Sequence, residues 1–250
     1  MKKIAVIGED KRSKYLKKFL MKDNMLADIE DSDYIYYSIP FIKKESLEDV
    51  IRYNKKIITG KISKEQKKIL DKNNIKYIDL LERENFVLEN AKITAESTII
   101  PLINKTERRI KNENILVLGY GKIAKHLLKI LSRYDAKLKC FARKEKYKEE
   151  IEKQNVKYVY YNKILDELDS TTIIINTVPF NIINKEMLEK INKNNIIYFE
   201  LASKPYSFDL NSLTYYDIDF ILLNALPSKV MAKDAAMVIK KEIDIILKKI

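Results

Sequence analysis

Residues 114–124 read NILVLGYGKIA. Ile115, Leu116, Val117 and Leu118 form a short apolar run, as a parallel strand buried on both faces requires. Gly119, Gly121 and Ala124 then give G-x-G-x-x-A, and residues 122–133 continue at amphipathic helical spacing. The motif is weak alone and gains meaning from a strand before it and a helix after it. Gly119 permits the tight turn, Gly121 lets the backbone approach a pyrophosphate, and Ala124 lets the helix pack close on the strand. Phosphates would rest on the free N–H groups around Tyr120, Lys122 and Ile123, where the helix dipole favours negative charge. The plain alternative is an ordinary glycine turn; the correct flanks favour a dinucleotide site.

Residues 137–142 (KLKCFA) are the expected second strand of this unit. An acid at its end would take a ribose 2′-hydroxyl, but the sequence has Ala142-Arg143-Lys144, with Arg143 22 residues after Gly121. A guanidinium pairs bidentately with a 2′-phosphate and stacks on adenine, which predicts NADP(H) over NAD(H). Further strands are expected at 158–161, 172–176, 196–201 and 219–223. Strand ends in such sheets face the ligand crevice, so Asn176, Thr177, Val178, Pro179 and Ser203 are expected at the nicotinamide end.

Upstream, strands at 3–7, 33–39, 56–59 and 76–79 alternate with helical stretches at 13–21, 47–51 and 64–72. This predicts a first α/β unit over residues 1–90. Ser63 with Gln66 makes a capping-box pattern. Residues 80–89 read as a charged connection, and 91–111 contain a connecting helix with Pro101 as its break or kink. The nucleotide-binding unit is expected over 112–226. A C-terminal helix follows within 227–250, apolar at Ile239, Ile243, Ile246 and Ile250, and is expected to return to the first unit. The fold class is therefore α/β: two Rossmann-like parallel-sheet domains joined by a connecting helix.

The chain has 250 residues, of which 46% are apolar, enough to fill a core. No apolar run reaches the ~18 residues of a membrane span. The N-terminal MKKIAVIGED reads as a first strand, not a signal peptide. Cys140 is the only cysteine, which fits a reducing cytoplasm and a buried strand position. The net charge is +12, but Lys and Arg are scattered through every predicted helix and interleaved with Glu. This favours generic attraction of small anions over a nucleic-acid patch. No C-x-x-C, H-E-x-x-H or acidic cluster predicts a metal. The single histidine, His126, sits within the helix after the glycine turn, which disfavours a separate histidine acid/base or a histidine triad. The remaining candidates are Lys204 and Lys229 as cations for carboxylates, and Glu96, with Thr94 beside it, as a general base once desolvated.

The ordered motifs resemble the A-type chain of dipicolinate synthase. They are Thr94-Ala95-Glu96-Ser97-Thr98-Ile99 for T-x-E-G-A-I, residues 117–121 for V-L-G-x-G, and Ala142-Arg143 for A-R. Asn176-Thr177-Val178-Pro179 stands for N-T-I-P, residues 201–205 for L-A-S-[KR]-P, and residues 226–235 for L-P-G-x-x-A-P-x-T-A. The resemblance runs from about Leu81 to the C-terminus; before it, residues 8–12 look like the family's G-G-D-x-R turn. Ser97 and Ser228 replace family glycines, Tyr206-Ser207 replaces a glycine pair, and the proline expected near Ala232 is missing.

The resemblance implies NADP-dependent oxidation of a dihydrodipicolinate-type ring, or its hydrated precursor, to pyridine-2,6-dicarboxylate. Glu96 and Lys204 would be catalytic, and Arg12, Thr94, Ser97 and Lys229 would bind the dicarboxylate. It further implies a flavoprotein-like second subunit of dipicolinate synthase and the cytoplasm of a sporulating mother cell, with no nucleic-acid or membrane partner; homo-oligomerisation stays open. Two alternatives remain: another NADP-dependent small-acid dehydrogenase of the two-domain 2-hydroxy-acid type, and a non-catalytic NADP-binding regulatory protein.

Overall fold

The structure, a computed structural model, describes residues 2–40 and 44–248; the expected apolar position Ile250 lies outside them. Contacts divide the chain into two units, one of residues 1–93 and 227–250 and one of residues 94–226. Each is built on a parallel sheet.

The first unit runs β1 (Ile4–Ile7), α1 (Lys11–Lys22), β2 (Tyr34–Tyr37), α2 (Lys44–Tyr53), β3 (Lys56–Thr59), α3 (Lys64–Lys72) and β4 (Tyr77–Asp79). The strands pair in the order β1-β2-β3-β4. On the outer side of β1, Leu26 makes a single parallel bridge to Ile4, held by Ile4 N–H donating to the Met25 carbonyl at 2.8 Å and Ala27 N–H to the Ile4 carbonyl at 3.1 Å. The chain thus steps outward from β1 through α1, then returns to β2 and advances through α2 and α3. Right-handed crossovers in opposite directions place helices on opposite faces. Accordingly Leu16 and Leu20 of α1 pack with Val6, Tyr36 and Ile58. Leu47, Val50 and Leu70 of α2 and α3 pack with Ala5, Ile35 and Ile57 on the other face. Asp10 caps α1 by accepting the Ser13 N–H at 2.6 Å, and Ser63 and Gln66 form the expected capping box on α3.

The 23-residue helix α4 (Glu84–Thr106) follows. It starts in the stretch expected to be a charged connection, and it runs unbroken through Pro101. Proline removes the bond to the Ser97 carbonyl, but Ala95, Thr98, Ile99 and Leu102 on either side of that gap are all buried, and burial outweighs one missing bond.

The second unit runs β5 (Asn114–Leu118), α5 (Lys122–Leu131), β6 (Lys137–Phe141), α6 (Lys148–Glu152), β7 (Lys157–Val159), α7 (Ile164–Glu167), β8 (Ile173–Asn176), α8 (Lys185–Lys193), β9 (Ile197–Glu200) and β10 (Phe220–Leu222). The sheet order is β10-β9-β8-β5-β6-β7, so strand order reverses between β5 and β8. That is the doubly wound arrangement whose crevice lies at the carboxyl ends of those two strands. β5 is fully buried from Ile115 to Leu118 because helices cover both faces of a parallel sheet.

The chain closes with α9 (Leu226–Lys229) and α10 (Ala232–Lys248). Ala236, Ile239, Ile243 and Ile246 of α10 join the α1 core of the first unit. Lys240 Nζ there meets Asp23 and Asp244, each at 2.7 Å. Burial pulls the Lys240 ammonium down, but the two carboxylates outweigh it and raise its pKa.

Candidate functional site

A cavity of about 460 Å³ opens where β5, β6 and β8 end. Gly119, Tyr120 and Gly121 form one wall, Phe141, Ala142, Arg143, Lys144 and Tyr147 a second, and residues 177–182 a third. The turn after β5 is fixed by its neighbours. Gly119 N–H donates to the Phe141 carbonyl at 2.8 Å, while the Thr177 hydroxyl donates to the Leu118 carbonyl at 2.8 Å. Gly119 has φ +101°, and a Cβ there would lie 2.5 Å from Thr177 Oγ1 and 2.7 Å from Val178 Cγ2. Only glycine fits.

Gly121 differs. A Cβ there would meet nothing of the protein within 4 Å. It is also the N-cap of α5, with no side-chain hydrogen bond capping the helix. Open space beside uncapped first-turn amides suits a phosphate group. Ala124 is fully buried, as close packing of α5 on the sheet demands.

At the end of β6, Arg143 and Lys144 are exposed and, among the described residues, enter no ion pair. Two cations beside a cradle of free amides make this end electropositive. Tyr120 and Tyr147 face each other with centroids 5.4 Å apart, and Lys125 Nζ lies 4.8 and 5.1 Å from the two rings. Burial raises the Tyr120 phenol to about 12, so it stays neutral; Gln154 donates to it at 2.8 Å. Burial likewise pushes the Cys140 thiol to about 12, which makes it an inert strand residue.

Nine of the residues read from the sequence as cofactor-binding line this one cavity: Gly119, Tyr120, Gly121, Ala142, Arg143, Lys144, Thr177, Val178 and Pro179. Lys122 and Ile123 open α5. Ser203 lies exposed after β9, outside this lining. Phe141, Tyr147, Phe180, Asn181 and Ile182 line the cavity without having been singled out. Phe180 carried a faint signal, a large apolar residue after Pro179, and it is 62% exposed.

The residues read as catalytic or substrate-binding are spread over both units. Thr94, Glu96 and Ser97 belong to the second-unit part of α4, where Thr94 and Ser97 are buried and Glu96 is exposed. Lys204, in the loop after β9, is exposed, with Nζ 5.9 Å from the Tyr206 ring. Arg12 and Lys229 belong to the first unit. Arg12 is buried; its Nη2 donates to Asp10 Oδ2 at 2.8 Å and to the Ile39 carbonyl at 2.6 Å. Lys229 is exposed at the end of α9. His126 is half-buried in α5 and outside the cavity lining.

A doubly wound sheet, a glycine turn and a cavity at the switch point make the second unit a Rossmann-like α/β domain. Residues 89–198 match the family described as D-isomer specific 2-hydroxyacid dehydrogenase, NAD binding domain. More particularly, the chain resembles the A chain of dipicolinate synthase in sequence and in fold. It is 26% identical over 164 residues to that protein from Bacillus subtilis (strain 168), a match spanning 66% of this chain and 55% of that relative. The crystal structure of the dipicolinate synthase A chain from Bacillus subtilis superposes with a TM-score of 0.81 at 21% identity, over 99% of this chain and 96% of that one. The corresponding dipicolinate synthase chain from Bacillus halodurans gives 0.82 at 21% identity, over 99% and 97%. Among the described residues, no helix is long and apolar enough to cross a membrane, and no group of three or more His, Cys, Asp or Glu is placed to hold a metal.

Proposed function

We propose that the chain is an NADP-dependent oxidoreductase of the dipicolinate synthase A type. Its substrate would be a dihydrodipicolinate-type dicarboxylate or its hydrated precursor, and its product pyridine-2,6-dicarboxylate. The single observation that carries the nucleotide half of this reading is the cavity after β5, β6 and β8. There an open glycine and uncapped helix amides stand next to two cations that enter no ion pair among the described residues. The first-turn amides of α5 would hold the pyrophosphate. Arg143 and Lys144 would take the 2′-phosphate, Arg143 in bidentate fashion. Thr177, Val178 and Pro179 would bound the nicotinamide end, with Ser203 beyond them.

When bound, the nicotinamide supplies a hydride acceptor. The chain's own residues then have to hold the dicarboxylate and remove one proton from its ring, a step that aromatisation favours. Glu96 is the proposed base. Lys204 offers a point charge for one carboxylate, and Arg12, Lys229, Thr94 and Ser97 are the proposed contacts for the remainder. The flavoprotein-like second subunit of dipicolinate synthase is the proposed partner, and the cytoplasm of a sporulating mother cell the proposed location.

The test follows pyridine-2,6-dicarboxylate by ultraviolet absorbance with NADP⁺ and freshly made precursor, with and without the flavoprotein-like partner. Product that depends on NADP⁺ is expected. Absence of product in every combination, with NADPH still bound, would overturn the substrate and leave the nucleotide site standing. A second reading, a 2-hydroxy-acid dehydrogenase, is favoured by the match over residues 89–198 and disfavoured by the place of the only histidine in α5. Oxidation of simple 2-hydroxy acids by the same preparation would establish it.

A further inference from the structure

Asn176 and Glu200 are register partners at the last positions of β8 and β9, and both are fully buried. The Asn176 amide donates to both Glu200 oxygens, at 2.7 and 2.9 Å. The same side chain closes a turn over the residues that follow it. Its Oδ1 accepts the Val178 N–H at 3.0 Å, and its Nδ2 also donates to the Val178 carbonyl at 3.0 Å. Thr177 and Val178 are in turn the residues packed against Gly119.

Glu200 also holds the loop after β9. It accepts the Ala202 N–H at 2.8 Å and the Ser207 hydroxyl at 2.9 Å; the buried Tyr198 hydroxyl donates to that same hydroxyl at 2.6 Å. The Ser207 carbonyl accepts the N–H groups of both Ile182 and Ile183, at 2.9 Å, so this loop ties back to the cavity wall. The Ser207 hydroxyl is thus a further side-chain donor to the carboxylate.

We propose that Glu200, with Ser207 as its second anchor, is a positioning residue that sets the nicotinamide-side wall of the cavity and ties it to the loop bearing Lys204. The inference rests on the dinucleotide reading above. A buried carboxylate satisfied by side chains and amides from two loops fixes both, because releasing either leaves it unpaired. In this network, none of the hydrogen bonds given above ends on Arg143, Lys144 or Tyr147. Its loss should therefore be felt by one half of a dinucleotide and not by the other.

The test compares NADPH with adenosine 2′,5′-bisphosphate, which carries the phosphorylated adenosine half only, by calorimetric titration of the full chain. Glu200→Gln is expected to weaken NADPH by about tenfold while leaving the bisphosphate within about twofold. Equal weakening of both ligands would mark a merely structural residue and overturn the inference, as would no change in either. If Glu200→Gln does not fold, Ser207→Ala serves instead: about threefold weaker NADPH with unchanged bisphosphate supports the inference, and parallel or absent changes overturn it. A wild-type chain that binds neither probe would remove the nucleotide reading itself, and this inference with it; binding of both by the wild type keeps the two failures apart.

Discussion

The amide of Asn176 is held between Glu200 and Val178: its nitrogen donates to both carboxylate oxygens, at 2.7 and 2.9 Å, while its oxygen receives the Val178 N–H at 3.0 Å. One buried side chain thereby joins the ends of two neighbouring strands to the turn that lines the cavity. A charge so deeply placed must also leave a mark on the pH dependence of folding.

Burial raises the Glu200 carboxyl above its ordinary 4.5, opposed in part by the bonds from Ser207, Asn176 and the loop amides. The folded chain therefore holds this proton more tightly than the unfolded chain. Between 4.5 and the raised value, its contribution to stability falls as pH rises, and above that window it is constant. Glu200→Gln removes the titrating group. Urea midpoints measured across the window should decline less with rising pH in the variant than in wild type; a steeper decline in the variant would contradict the assignment.

The two glycines of the turn should separate folding from binding. Gly119→Ala forces a Cβ into Thr177 and Val178 at positive φ, and is expected to cost about 1–3 kcal/mol of stability. Gly121→Ala meets no protein atom, so thermal unfolding should stay within about 0.5 kcal/mol of wild type. NADPH binding should nevertheless drop in the latter, because the added methyl occupies the space a phosphate needs. Normal NADPH affinity in Gly121→Ala would place the phosphates elsewhere.

Arg143→Ala tests cofactor choice. A charged hydrogen bond of about 1.5–3 kcal/mol predicts roughly 10–100-fold weaker NADPH. NADH binding should change little, since it carries no 2′-phosphate. Titration of both cofactors decides the matter: equal losses would show that Arg143 does not read the phosphate.

Ile243 is fully buried in the core that α10 shares with α1. Ile243→Ala should destabilise the chain by about 2–5 kcal/mol, read as a lowered denaturant midpoint. An unchanged midpoint would mean that α10 contributes little to the first unit.

Strand–helix alternation was legible because it rests on local pattern. Every strand from β1 to β10 overlaps a stretch read as a strand in the sequence, and the glycine turn announces the switch point through its flanks. The parts that were not legible depend on distant partners. Leu26 joins the sheet only through its single bridge to Ile4. Residues 84–89 look like a charged connection but extend α4, because Phe86 within them is buried in the core of the first unit. Tyr147, Phe180 and Asn181 reach the cavity by chain path and carry no motif. Glu200 falls inside the strand expected over 196–201 and was not singled out.

By itself the sequence determined the doubly wound plan, the glycine cradle and the basic end of β6, because turn conformation, side-chain size and charge are properties of short segments. Tertiary structure alone decided that Asn176, Glu200 and Ser207 act together. Their meeting depends on the register of β8 against β9 and on a loop that returns to the sheet end, and a linear pattern contains neither.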